Sequence, residues 1–336
     1  MAEPKEIRLP SPRTLLRIGL QGVVLVTLAN AAILLWSADR ETWRQLVVGN
    51  GIYVPALLGL VLAAWALAGA RVVVLARALG HPLPYREGLI VSLSSQFGTA
   101  ATPSGIGAIL IRLGLLRRAG VPFGRGAAMF TVDSAIDLSF YALLVPVSLW
   151  LIARDEEWRE ILSRLERAEI GWLLPAIGLV ALIGATVTWL LRRRAGAIAE
   201  LFDRSRRLRE AGRELGEAKS ALRILLRERP GAVAVDFFLG ITQWSCRYGT
   251  LPLILLALGI AKNPAPLILL QGGLFALSSL VVVPGGGGGV EAVAAFVLQS
   301  FVPLSLVGVV LFVWRLVTYY LYLIVGGIVF FVTCRR

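Results

Sequence analysis

Acids and arginines stand inside stretches that are otherwise apolar. Asp133 and Asp137 are one helical turn apart in TVDSAIDL, Asp236 and Arg247 fall eleven apart in a second apolar run, and Arg315 lies in VWRLVTYY. Spacings of four and eleven put each pair on one helix face. Two more charges follow breaks in apolar sequence. Arg112 comes after GTAATPSGIG (Gly98 to Gly107), and Glu291 comes two residues after the run of five glycines that follows Pro284. In lipid such charges are costly, face the interior of a bundle and mark substrate, ion or proton paths.

The breaks are chemically informative in their own right. Unpaired backbone N–H and C=O groups cost several kcal/mol each in hydrocarbon, so irregular backbone survives only where it is buried in protein or lines a watery cavity. A helix restarting after such a break points its N-terminal N–H groups, the positive end of its dipole, at any anion. Thr102 or Ser104 can cap a helix after TPSG, and a second helix can start at Val290. Pro103, Ser104, Gly105 and Gly107 at the first break, and Pro284, Gly286 and Gly288 at the second, are therefore candidates for two anion cradles. The competing reading is that these small residues only let helices pack closely.

For the charged residues two roles stay open. Arg112, Arg247 and Arg315 can hold phosphate, or serve as packing partners and, for Arg112, a topology anchor. Asp137 can pair with Arg315 or Arg247, while Asp133, Asp137 and Glu291 can balance bound charge, meet cationic headgroup atoms or carry protons. Glu291 also complements the dipole of its own helix. No nucleophile, base and orienting group stand at motif spacing. The glycine run lacks the Lys and Ser/Thr of a P-loop, so ATP hydrolysis is not expected.

The elements that position these residues are set by composition. Of 336 residues 57% are hydrophobic and 16% charged, and the mean hydropathy is +0.76, so the chain reads as an all-α polytopic membrane protein. A span needs about 20 apolar residues. Six stretches qualify, roughly residues 15–37, 52–76, 126–152, 171–191, 232–258 and 304–332. The first is read as a retained span, with no detachable targeting segment. Stretches 89–116 and 267–301 are each cut by a break.

Charge orients the spans. Residues 192–229 hold eleven Arg and one Lys against six acids, and residues 154–169 hold four Arg against six acids. The positive-inside rule makes the former cytoplasmic and the latter external. The first broken stretch then has two cytoplasmic flanks and the second two external ones, so both are expected to be re-entrant hairpins dipping in from opposite faces. Centres near residues 65, 103 and 139 recur near 245, 284 and 318, about 180 residues later, the mark of an inverted-topology repeat with its site at the broken segments. The expected organisation is one integrated membrane domain: residues 1–191, the first repeat plus the first span of the second half; 192–230, a cytoplasmic basic amphipathic segment; and 231–336, the rest of the second repeat. In the middle segment Leu201, Leu208, Leu215 and Leu222 fall seven apart amid charge, which suits either an anionic membrane surface or packing on the chain's own spans.

The net charge of +13 is what helix ends in a membrane demand, and no polar domain remains for nucleic acid, which is not an expected partner. With one histidine and two cysteines, neither a zinc site nor a disulfide framework is expected, nor any cofactor. Trp36, Trp43, Trp150 and Trp172 near span ends read as interfacial belts.

Four segments in order, ATPSGIGAILIRLGLLRRAG, TVDSAIDL, VPGGGGGVEAVAAFVL and VWRLVTYYLYLIVGG, resemble the lysylphosphatidylglycerol synthase transmembrane region family of flippase-like membrane proteins. The resemblance implies an integral membrane domain associated with moving modified or glycosylated lipids between leaflets. By motif it points to Pro103, Gly105, Gly107, Arg112, Pro284, Gly286, Gly288, Glu291 and Arg315. Ala108 stands where the family often carries an acid or a second glycine, a departure that weakens the case for a cationic-headgroup contact on that side. The chain ends at Arg336, and neither the soluble aminoacyl-transferase domain of the bifunctional synthases nor lysine transfer by this chain alone is expected.

The resulting expectation is a non-enzymatic transporter that binds an anionic lipid headgroup between the two hairpins, in a bacterial-type inner (plasma) membrane with both termini cytoplasmic. Its partners would be membrane lipids and a separate lipid-modifying synthase. The rival functions are an intramembrane lipid-linked transferase, with Asp137 or Glu291 as base, and a non-catalytic partner of a lipid synthase.

Overall fold

The computed structural model describes residues 52–102, 105–156, 159–160, 163, 206–260, 263–280 and 289–335. The stretches 15–37 and 171–191 lie outside them. All regular structure among the described residues is helical. The uninterrupted apolar run after Ile52 forms α1 (Tyr53–Ala78), which ends at Gly80 with φ 80°. Next come α2 (Tyr85–Ala101) and α3 (Ile106–Arg118), separated by the first break. The long α4 (Phe123–Arg154) contains Pro146 and is followed, after undescribed chain, by the charged α5 (Arg206–Arg223).

A π-helical turn, Ile224–Glu228, leads from α5 into α6 (Pro230–Tyr248) and α7 (Thr250–Ala257), which divide the expected span 232–258 at Gly249. The second broken stretch forms α8 (Pro264–Leu280) and α9 (Gly289–Leu298), the latter starting one residue before the expected Val290. Finally α10 (Leu304–Arg315) runs through a second π-helical turn, Leu316–Tyr320, into α11 (Leu321–Arg335).

Among the described residues, three helical stretches are long and apolar enough to cross a membrane: Tyr53–Ala78, Phe123–Ser148 and Leu304–Arg335. At 1.5 Å per residue, α2 and α8 each reach about 26 Å, α3 about 20 Å and α9 about 15 Å, all short of a 30 Å hydrocarbon core. The second π-helical turn lies inside the apolar stretch Leu304–Arg335. It follows Arg315 directly, and π-turns inside helices frequently mark functional positions.

Among the described residues two large apolar cores hold the helices together, with a small third at Ala100 and Tyr319. One gathers Val72, Leu75, Leu116, Met129, Val132 and Leu225 from α1, α3, α4 and the π-helical turn after α5. There Arg125 donates to the carbonyl of Leu79 at 2.7 Å, and Arg118 reaches the carbonyl of Thr333 near the end of α11. The other core gathers Leu255, Leu267, Leu298, Val307, Leu311 and Trp314 from α7 to α10. Ser148 of α4 donates to the carbonyl of Ala265 at 3.1 Å, joining the end of α4 to the start of α8. The outer faces expose Leu62, Leu143, Phe238, Ile328 and Phe331. With acids and arginines buried and large apolar side chains outside, the solvent these faces match is lipid.

Close backbone approach decides two helix pairs. A Cβ on Gly326 of α11 would sit 2.5 Å from the carbonyl oxygen of Leu93 in α2. On Gly98 it would sit 2.6 Å from the carbonyl carbon of Gly107, so glycine is what lets α2 and α3 cross just below their break. The amphipathic α5 packs on the start of α4, where the Gly124 N–H donates to Glu214 at 2.7 Å. Of the two readings open for this segment, packing on the chain's own spans is the one observed. Leu222 joins the core while Leu215 faces outward, and Leu201 lies outside the described residues.

Candidate functional site

The charged residues collect in two buried clusters, and the centre of the first is Arg71 of α1. Its Nε donates to Asp236 Oδ1 at 2.8 Å, its Nη1 to Asp137 Oδ1 at 2.7 Å and to Gln243 Oε1 at 3.1 Å, and its Nη2 to the carbonyl of Asp133 at 3.3 Å. The same Nη2 lies 3.1 Å from Asp133 Oδ1. Asp133 Oδ2 accepts from Arg112 of α3, and Asp137 also accepts from the indole N–H of Trp244 at 2.8 Å. Three carboxyls from α4 and α6 thus surround one guanidinium from α1, with a second guanidinium from α3 on the flank. Gly240 of α6 makes room, since a Cβ there would stand 3.2 Å from the Arg71 guanidinium carbon.

The second cluster is a buried pair, Glu291 of α9 with Arg315 of α10, at 2.8 Å with side chains 0% and 4% exposed. Trp314 and Tyr319 lie against the Arg315 guanidinium. Trp314 in turn donates to Gln271 Oε1 at 2.8 Å, and the Gln271 amide donates to the carbonyl of Tyr248 at 2.6 Å, so this layer has its polar groups joined across α6, α8 and α10. Between the clusters Arg247 donates to Gln96 of α2 at 3.3 Å and lies against Trp244 and Tyr322, while the hydroxyls of Tyr141 and Tyr248 hydrogen-bond.

The two ion pairs occupy matching places with reversed sign. Arg112–Asp133 ties α3, the short helix after the first break, to the long helix that follows. Glu291–Arg315 ties α9, the short helix after the second break, to the helix that follows it. Distances along the helices put the first cluster roughly 10–15 Å from the arginine-rich ends of α1 and α4, and Arg315 roughly 16 Å from the opposite end of the bundle.

At the first break the helix N-cap is Gly105, with φ 68°, the left-handed conformation glycine adopts without strain. The Thr102 hydroxyl accepts the first-turn N–H of Gly107 at 2.8 Å and donates to the carbonyl of Gly98 at 2.7 Å. Thr102 therefore caps from outside the helix. Pro103, Ser104, Pro284, Gly286 and Gly288 lie outside the described residues.

Among the sequence candidates, Asp133, Asp137 and Arg112 come together, as do Glu291 and Arg315. The expected partners of Asp137 were Arg315 or Arg247, and its partner is Arg71 instead. Arg71 and Gln243 are the residues that sequence reasoning missed. The signal for Arg71 was the rule already applied to the other charges, an ionisable residue within an apolar run.

A family profile described as the lysylphosphatidylglycerol synthase TM region matches residues 20–326, nearly the whole chain. The chain belongs to this family. A UPF0104 membrane protein from Archaeoglobus fulgidus is 23% identical over 325 residues, spanning 91% of this chain and 94% of that one. Membership of the lysylphosphatidylglycerol synthase TM-region family makes this a membrane protein with a lipid-related function. The four motif segments fall on the first break with α3, on α4, on the second break with α9, and on α10 to α11, the helices that carry both ion pairs.

Proposed function

We propose that the chain is a flippase-type transporter that draws an anionic phospholipid or glycolipid headgroup into the bundle and passes it between leaflets. The observation that carries this reading is the pair of buried ion pairs, Arg112–Asp133 and Glu291–Arg315, each joining a helix too short to span to the long helix after it. Arginine presents a planar fork that fits phosphate, and a carboxylate already on that fork is the group a phosphate would displace. Asp133 and Glu291 then hold the guanidiniums in the unloaded state, and exchange of carboxylate for phosphate opens one end of the bundle at a time. Arg247, with Gln96 and Tyr322 beside it, offers an intermediate station, and Asp137 keeps the flank charge-balanced.

The helix order supports an inverted-topology repeat. Helices starting at residues 53, 85, 106 and 123 have counterparts starting at 230, 264, 289 and 304, about 180 residues on. The contacts repeat likewise, since α2 packs on α11 as α8 packs on α4, and α1 packs on α6, its own counterpart. With α2–α3 and α8–α9 as re-entrant hairpins, Pro103, Ser104, Gly105 and Gly107 would line one half of the path and Pro284, Gly286 and Gly288 the other. Arg77, Arg86, Arg118, Arg125, Arg229 and Arg335 cluster at one end, which the positive-inside rule makes cytoplasmic in an inner (plasma) membrane, with both termini on that side.

The test is leaflet exchange of fluorescent anionic lipids in proteoliposomes. Wild-type protein should exceed empty liposomes, and Arg315→Ala and Arg112→Ala should each lose exchange while still eluting as folded protein. Wild-type rates in both variants would overturn the site. A new covalent lipid product without exchange would replace transport with a transferase, and a stable synthase complex without exchange would make the chain a recruiting partner.

A further inference from the structure

The Arg71 cluster has more carboxyls than guanidiniums. Asp133, Asp137 and Asp236 carry three negative charges when ionised, against two positive charges on Arg71 and Arg112. Asp133 and Asp236 are 5% and 0% exposed. One oxygen of each, Asp133 Oδ1 and Asp236 Oδ2, is buried and accepts no hydrogen bond from any donor among the described residues. The two carboxyls close on the same guanidinium, Asp133 Oδ1 at 3.1 Å from Arg71 Nη2 and Asp236 Oδ1 at 2.8 Å from Nε. Two carboxylates so placed repel unless one O–H donates to the other, and adjoining carboxyls away from water do not both ionise. One proton satisfies both orphan oxygens and brings the cluster to neutrality.

We propose that Asp133 and Asp236 form a proton-binding site between α4 and α6, and that which of the two carries the proton sets the grip of Asp133 on Arg112. The groups facing the pair are Arg71 from α1, Arg112 from α3, Asp137 from α4, and Gln243 and Trp244 from α6. Helices α7 and α8, which also pack on α6, bring no charge, and Arg227 and Glu228 of the preceding π-turn are exposed near the helix end. Asp137, one turn from Asp133 with its side chain 33% exposed, gives the proton a way in from the surface of the bundle. With the proton on Asp236, Asp133 stays ionised and keeps Arg112, as in the structure; when the proton passes to Asp133, the charge that holds Arg112 is lost and the guanidinium is left ready for phosphate. Return of the proton to Asp236 restores the ion pair. If the transport reading above holds, one proton would move with one headgroup, while the proton site itself does not depend on that reading.

Infrared spectroscopy of the reconstituted full chain, in water and in deuterium oxide, reads a buried protonated carboxyl directly from its isolated carbonyl band. In wild-type protein this band should persist at neutral pH, where an ordinary carboxyl has long since ionised, and vanish in strong alkali. Asp133→Asn and Asp236→Asn should each remove it, and Glu291→Gln should leave it. No such band in the wild type at neutral pH, or a band that survives both substitutions, overturns the proposal. So does a band abolished at fixed pH by sodium but not potassium, which would make the occupant a metal cation. In the same proteoliposomes a transmembrane pH gradient should change leaflet exchange several-fold. A band without any exchange would leave the proton site standing and remove the transport reading. Exchange indifferent to the gradient, with no band, would do the reverse.

Discussion

Replacing Arg71 by methionine removes the one cation shared by α1, α4 and α6. Arg71 makes charge-assisted bonds to Asp236 and Asp137, a bond to Gln243 and a bond to the Asp133 carbonyl. Hydrogen bonds to charged groups contribute about 1.5–3 kcal/mol net, but removal also returns the desolvation cost of a buried guanidinium. The balance for breaking one partner of a buried pair is a loss of about 3–5 kcal/mol. Arg71→Met should therefore lower stability by about that much, and the deficit should shrink as pH falls and the stranded acids take up protons. Asp236→Leu removes one of those acids, so the double variant should be more stable than the summed single losses imply, with a coupling of about 1–3 kcal/mol. Reversible unfolding in mixed detergent–denaturant micelles, read by tryptophan fluorescence, supplies the four free energies of the cycle. Strict additivity, or a loss from Arg71→Met below about 1 kcal/mol, would refute a cluster centred on this guanidinium.

Other consequences follow from single contacts. Gly326→Ala drives a methyl into the Leu93 carbonyl and should cost about 1–3 kcal/mol by pushing α11 off α2, whereas Gly114→Ala, which points into open space, should be neutral or slightly stabilising in the same assay. Gly124→Ala would place a Cβ 2.4 Å from the Glu214 carbonyl, so α5 should detach and become protease-sensitive while the rest of the bundle stays protected. His81, between α1 and α2, accepts from Arg125 at 2.8 Å, and partial burial together with that cation holds its pKa below the usual 6.5. The folded state thus favours the neutral ring. Its contribution is present above pH 6.5 and is lost as pH falls through the lower folded value, and His81→Gln should flatten that part of the stability profile.

Hydropathy and chain chemistry alone determined which described runs become helices and where the first break falls, though not the division of 232–258 at Gly249. Residues 52–76 had to become a helix because an apolar run of that length satisfies its backbone groups only internally. The glycine and proline content of 98–107 had to end a helix for an equally local reason. Membership of the family was legible in the same motifs, because they lie at these breaks and in the helices that follow. Helix geometry also showed that Asp133 and Asp137 share a face.

Tertiary structure decided which charge meets which. Asp137 and Asp236 meet Arg71 across 66 and 165 residues, and no spacing rule within a helix reaches that far. Arg71, six residues before Arg77 in the last third of α1, resembles a basic residue closing a span until Gly240 brings α6 close enough to surround it. The excess of one carboxyl in that cluster is likewise a property of three helices packed together. Each helix specifies the direction of its own side chains, but its rotation and crossing with neighbours depend on where small residues permit contact, and those rotations place two acids against each other away from water.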